Sequence, residues 1–129
     1  MSFEYPEDLR YLDSHEYVRI DGDIATIGIS AFAVEQLGDI VFVELPDAGD
    51  VLTQGETFGS VESVKAVEDL YAPVTGIVVE SNAIVTESPE QLAVDPYELG
   101  WLLKVKLHGE PDLSGMMSAG EYRDRVEGE

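Results

Sequence analysis

From Val51 onward the chain breaks into short apolar pieces separated by turn residues, VLTQGE, FGSVES, DLYAPVTG and IVVESN. That rhythm belongs to all-β sandwiches and barrels. The flanking segments agree with it. Tyr17-Val18-Arg19-Ile20 leads through Asp21-Gly22 into a second strand over Asp23 to Ile29, a hairpin signal. A further strand is predicted from Asp39 to Leu45, stopped by Pro46. Trp101, Leu103, Val105 and Leu107 alternate with Leu102, Lys104 and Lys106, the period of a half-buried strand that closes a sheet. Helices are brief. Ser30 can cap SAFAVEQLG, with Ala33 and Leu37 on one face and Gly38 at its end. Ser88-Pro89-Glu90-Gln91 combines a cap, a first-turn proline and a capping-box partner, predicting a helix that stops near Asp95-Pro96. Ser118 and Glu121 form another capping box, so a C-terminal helix is predicted over about 118–127. With 129 residues and 44% hydrophobic content, positions 1–129 fit one domain with its own core.

Seven basic against 27 acidic residues leave a net charge of 7 − 27 = −20. Such a field repels phosphate backbones and anionic lipid, so no nucleic-acid or membrane partner is expected, and electropositive protein surfaces are favoured. The chain has no cysteine, which removes disulfides, thiol nucleophiles and CxxC sites; any redox chemistry has to be borrowed. The opening MSFEYPEDLR lacks an apolar signal core and the Arg/Ser-rich character of a transit peptide, and no apolar run is long enough to span a bilayer. A cytoplasmic protein is expected, or the mature form of an organelle protein. His15 and His108 lie in no metal-ligand pattern, so no metal site is predicted. No catalytic GxSxG, Walker or GxGxxG element stands in a strand-to-helix context. Among 27 carboxylates, adjacent acids are expected without a catalytic pair, and no catalytic residues are assigned.

Between Arg19 and Lys104 the chain holds one basic residue, Lys65, in GSVESVKAVEDLYAPVTG between two strand-like runs. Spacing alone leaves two readings: an exposed lysine paired with Glu62 or Glu68, or an amine presented for modification. A modifying enzyme must reach the ε-amine, which requires a hairpin tip that is exposed above and rigid below. Gly55 and Gly76 are read as tight bends beneath that tip.

Gly59-x-Val61-Glu62-Ser63-Val64-Lys65-Ala66, followed by Leu70-x-Ala72-Pro73-x-x-Gly76, resembles the lipoyl-attachment hairpin, and GSVESVKA is similar to the form found in glycine cleavage H-proteins. The resemblance covers nearly all of residues 9 to 126. It includes Leu9-x-Tyr11, Ser14-His15-Glu16-Tyr17, Gly28-Ile29-Ser30, Leu37-Gly38-Asp39-x-Val41-Phe42-Val43-x-Leu45-Pro46, Asn82, Ser88-Pro89-x-x-Leu92, Asp95-Pro96-Tyr97 and Gly100-Trp101-Leu102. Two departures stand out. Tyr17 replaces the family's usual tryptophan, and Phe32 stands where many members have histidine, so a polar contact there gives way to apolar packing.

The resemblance implies a mainly β fold, the lipoyl/biotinyl-carrier-type sandwich or barrel-sandwich hybrid, with the lipoyl hairpin at about 56–76. It implies a carrier protein, not an enzyme, with lipoate in amide linkage to Lys65 and an attachment motif of Glu62, Ser63, Val64 and Ala66. The arm would accept the aminomethyl group at glycine decarboxylase (P-protein), surrender it to the aminomethyltransferase (T-protein), and be reoxidised by dihydrolipoyl dehydrogenase (L-protein). A lipoyl transferase or ligase would install it. Matching by position puts Glu16 and Asp69 at a cleft that shelters the loaded arm. A biotinyl carrier normally flanks its lysine with methionines, which Val64 and Ala66 do not match. A lipoyl-relay role, an unmodified β-rich adaptor and a small acidic enzyme are the alternatives.

Overall fold

The computed structural model describes residues 5–127. Along the chain run β1 (Arg10–Tyr11), β2 (Glu16–Asp21), β3 (Ile24–Ile29), α1 (Ala31–Leu37), β4 (Ile40–Glu44), β5 (Val51–Leu52), β6 (Thr57–Ser63), β7 (Val67–Tyr71), β8 (Gly76–Ser81), α2 (Ala83–Glu87), α3 (Gln91–Val94), β9 (Leu103–Leu107) and α4 (Ala119–Glu127). The strands form two antiparallel sheets, a large one in the order β1-β2-β3-β9-β8-β5 and a small one in the order β4-β6-β7. Each strand is too short to bury much alone, so stability comes from closing the two sheets over a shared apolar interior. Val18, Ile27 and Val105 of the large sheet meet Val43, Val61 and Leu70 of the small one there, with Leu37 and Leu92 supplied by α1 and α3.

A second cluster joins the two ends of the described chain. Tyr11 and Tyr122 stack with centroids 4.6 Å apart, and Tyr5 meets both edge-on. Tyr17, in the position of the usual tryptophan, packs so closely under Gly28 that a Cβ there would lie 2.4 Å from its ring.

Most of the sequence-predicted elements are present. Asp21 pairs with Ile24 across a tight turn in which Gly22 has φ +66°. Ser30 Oγ caps α1 by accepting the Ala33 N–H at 3.2 Å, and the Gly38 N–H closes the helix on Val34 O at 3.1 Å. The C-terminal capping box forms in both directions: the Ser118 N–H reaches Glu121 Oε1 at 3.0 Å, and the Glu121 N–H reaches Ser118 Oγ at 3.2 Å.

Three local expectations need correction. Ser88 does not cap a helix with its side chain; it terminates α2, a helix that periodicity did not reveal and that Asn82 Oδ1 caps through the Ile84 N–H at 3.0 Å. The next helix, α3, spans only Gln91–Val94 and has no side-chain cap. The last strand starts at Leu103, because the Leu102 N–H already bonds Ile27 O at 2.7 Å and its carbonyl accepts the Asn82 N–H at 3.0 Å, which buries Leu102 ahead of the regular ladder. Gly76 lies within β8 instead of at a bend. A Cβ there would stand 2.2 Å from Lys106 O, so glycine is needed for close strand approach, while Gly55 does turn the chain at φ +89°. Among the described residues no helix is long and apolar enough to cross a membrane.

Candidate functional site

The strands β6 and β7 form the hairpin, and its tip is a four-residue turn, Ser63 to Ala66. The Ser63 N–H donates to Ala66 O at 2.8 Å, while Ser63 Oγ accepts the N–H groups of Ala66 at 3.1 Å and Lys65 at 3.3 Å. Ser63 is nearly fully buried, so one hydroxyl fixes the turn from below. The Val64 N–H donates to Asp39 O at 3.1 Å, tying the tip to the start of β4. Lys65 itself is exposed, and among the described residues its ammonium takes part in no ion pair. Neither Glu62 nor Glu68 pairs with it. The lysine stem lies toward the end of α1, with Cε 4.0 Å from where a Cβ on Gly38 would stand.

A cleft of about 480 Å³ opens beside the tip, bounded by α1, by β7 and by the turn between β1 and β2. Its floor is apolar, made by Ile29, Phe32, Leu37, Val61 and Leu70, and its rim is polar, made by Ser14, Gln36, Glu68 and Asp69. Ala66 belongs to the lining as well, so the cleft begins one residue from Lys65. Asp69 and Phe32 line this cleft, and so do Glu68, which spacing offered only as an ion-pair partner of Lys65, and Gln36, His15 and Tyr71. Only the Ser14-His15-Glu16 run hinted at His15. The others are adjacent solely because α1 and β7 converge.

Glu16 occupies a different place. It is fully buried and does not line the cleft. Pairing with Ile29 in the β2–β3 ladder puts it beside that floor residue on the same sheet face, covered from solvent. There Oε2 accepts the Tyr71 N–H at 2.8 Å, and Oε1 accepts the Ser14 hydroxyl. Tyr71 ends β7, the edge of the small sheet, and Glu16 satisfies a donor that this edge would otherwise leave open. The carboxylate thus joins the two sheets below the cleft.

Desolvation raises the Glu16 pKa above the usual carboxylate value, and the hydrogen bonds from Ser14 and from backbone N–H groups only partly oppose it. A raised folded-state value means that the folded chain holds this proton more tightly than the unfolded chain does. Folding stability therefore falls as pH rises through the elevated value, and the penalty is absent below the ordinary glutamate range. Glu16→Gln keeps a carbonyl for the Tyr71 N–H and sheds the buried charge. Its thermal midpoint relative to wild type is expected to improve as pH rises from the ordinary glutamate range toward neutrality. Parallel melts across that range check it, and a constant difference would mean that Glu16 titrates as it does in the unfolded chain.

His15 closes the β1–β2 turn with φ +82°, a left-handed conformation that is costly for any residue but glycine. Its Nδ1 lies 2.7 Å from Tyr122 Oη, which is 2.6 Å from Ser30 Oγ, the cap of α1. The His15 ring rests 5.1 Å from that of Phe32. The C-terminal helix thereby braces both walls of the cleft.

Comparison with known proteins gives a consistent picture. A family model described as "Glycine cleavage H-protein" matches residues 9–129. Glycine cleavage system H proteins of Acaryochloris marina and a Nostoc species are 62% and 66% identical to the chain, each over 99% of its length and over 100% and 98% of their own. The crystal structure of a glycine cleavage system H protein from Mycobacterium marinum superposes with a TM-score of 0.86 at 39% identity, covering 96% of this chain and 99% of that one.

Proposed function

The chain belongs to the glycine cleavage H-protein family, and on that premise we propose that residues 1–129 act as one lipoyl-carrier domain with lipoate in amide linkage to Lys65 Nζ. One observation carries this assignment: an exposed lysine, without an ion pair among the described residues, stands on a pinned turn, at the mouth of a cleft whose lining starts at the next residue. The motif residues divide the work. Ser63 holds the turn, Val64 and Ala66 leave the amine unobstructed, and Glu62 is one of the acids that surround it. The site fits the group. An apolar floor suits an aliphatic arm, and the polar rim suits a charged cargo at its end. Lipoate supplies the disulfide–dithiol chemistry that a chain without cysteine lacks.

The protein is a carrier subunit of the glycine cleavage system and not a catalyst. Its partners are the enzymes of that system: the P-protein, which loads the aminomethyl group, the T-protein, which removes it, and the L-protein, which reoxidises the arm. A lipoyl transferase or ligase attaches the arm, in the cytoplasm or in an organelle matrix. Intact-mass analysis of the chain made in a lipoate-competent cell tests the attachment. A lipoyl increment on Lys65 is expected, and a biotinyl increment or none would overturn it.

Within the cleft the aminomethyl cargo ends in an amine that is cationic near neutral pH. Asp69, at the rim, holds it by a charge-assisted hydrogen bond, and Glu16, buried beside the floor, keeps Ser14 and Tyr71 in place. Asp69→Ala is expected to leave lipoylation unchanged and to speed the release of ammonia and formaldehyde from loaded protein when T-protein is withheld, whereas Glu16→Ala should also loosen the fold. Wild-type decay of the loaded Asp69→Ala protein would remove Asp69 from this role.

A further inference from the structure

Alternation along β4 breaks at one point. Ile40 and Val43 are buried, but a bulge between Ile40 and Phe42 turns Val41 and Phe42 both outward, each 50% exposed. Regular alternation would have hidden one of them, and burying either would have been favourable. Bulges re-aim side chains beside functional sites. Phe42 pairs with Glu62, and Glu62 pairs with Val67, which is 62% exposed. Directly paired residues point to one face, so Phe42, Glu62 and Val67 form a row on the outer surface of the small sheet. Val64, 72% exposed, stands at the tip beside Lys65. The next row is Glu44, Ser60 and Asp69. Exposed Phe42 and Val67 thus flank the Glu62 carboxylate, with Val64 above them beside the lysine, on a chain of net charge −20, and exposed apolar side chains set among acids suit a partner that is apolar at its centre and cationic at its rim.

We propose that this outer face is the docking surface for the enzyme that acylates Lys65, an enzyme offering an apolar pocket for Phe42 with a lysine- or arginine-rich rim. The inference rests on Lys65 being the attachment site. Reach identifies the partner. Before acylation the chain has no arm, so an enzyme acting on the bare amine must seat against the residues around the tip, while enzymes that use the finished arm can dock an arm's length away. Charge agrees. A lipoyl group activated as a mixed anhydride with a nucleoside monophosphate is anionic, and an enzyme that holds it is cationic around its mouth, complementary to Glu44 and Glu62. In the step, deprotonated Nζ attacks the acyl carbon and a C–N bond forms. The C–O bond to phosphorus-bound oxygen breaks, the nucleotide leaves with the electron pair, and the proton from Nζ passes to solvent; nothing is oxidised. Val61 and Glu68, which line the cleft, form a pair on the inner side, so docking on the outer face meets the cleft only at its Asp69 rim.

The test uses purified full-length chain, a lipoate–protein ligase, lipoate and ATP, with acylation followed by intact mass. Phe42→Ser is expected to lower kcat/KM at least about tenfold, mainly through KM, because the aromatic anchor is lost while Nζ is untouched. Phe42→Leu should recover most of the loss. The same Phe42→Ser protein, acylated to completion by long incubation and then reduced, should be reoxidised by dihydrolipoyl dehydrogenase at the wild-type rate. Undiminished acylation of Phe42→Ser, or an equal fall in acylation and reoxidation, would overturn the docking assignment. Failure of the wild-type chain to be acylated at Lys65 would instead overturn the attachment reading, so the two failures are distinguishable.

Discussion

Lys65→Arg is expected to give a folded chain that takes up no lipoyl group and carries no aminomethyl cargo. The substitution keeps the positive charge and most of the stem length, so it tests the chemistry of the amine and not the electrostatics of the tip. A guanidinium is never deprotonated under ordinary conditions and cannot be acylated to the lipoyl amide. Lys65 is exposed and has no ion pair among the described residues, so the change in stability should stay within about 0.5 kcal/mol. The expected combination is an unchanged melting profile, no lipoyl increment by intact mass, and no loading by glycine decarboxylase. Loading of the variant at the wild-type level would sink the assignment of Lys65, because no other lysine lies near the cleft.

Gly59→Ala is expected to be among the most damaging single-methyl additions to the fold. A Cβ on Gly59 would stand 2.2 Å from Glu44 O and 3.3 Å from its carbonyl carbon. Both atoms are backbone, so no side-chain rotation relieves the overlap and β4 must move away from β6. That displacement breaks the Glu44–Ser60 and Val43–Val61 pairings and lifts Val43 and Val61 out of the core. Overpacking of this kind costs about 3 kcal/mol when the neighbour cannot yield. For a domain of this size the loss corresponds to a fall of about 10 °C in thermal midpoint. Urea unfolding measures it as a lower midpoint at constant slope. A destabilisation below about 1 kcal/mol would show that β4 adapts, and that Gly59 is required for something other than close approach.

Gly59 and Gly76 also show where sequence reading stops. A glycine in a β-rich pattern is open to two readings, a bend or a close approach of another backbone, and only the identity of the facing atom separates them. Gly55 turns the chain with φ +89°, while Gly76 faces Lys106 O across a ladder and turns nothing. The bulge in β4 raises the same difficulty. IVFVE reads as a plain strand in the linear pattern, and only pairing with β6 reveals that two consecutive apolar residues face outward. Helix α2 was missed for a related reason. Its five residues are too few for a 3.6-residue period to register, and it is held by Asn82, whose amide also reaches Leu99 O and Trp101 O from the following loop.

What the sequence determined by itself is what short-range physics encodes. Two-residue alternation specified the strands, Ser30 and Gly38 specified the ends of α1, the Ser118–Glu121 capping box specified the start of α4, and the isolation of Lys65 within a recognisable run singled out that lysine. Each depends on residues a few positions apart, whose geometry follows from backbone sterics and local hydrogen bonds. The cleft was decided by tertiary structure alone. It exists because α1, β7 and the β1–β2 turn converge, and its chemistry depends on which acids are exposed at that convergence. Glu16 and Asp69 are equivalent carboxylates in the linear chain. Packing of the two sheets buries Glu16 against the amide of Tyr71, 55 residues away, and leaves Asp69 in water on an edge strand. The cost of desolvating a charge, set by neighbours distant in the chain, gives one acid a structural place, while the other stays exposed at the rim of the cleft.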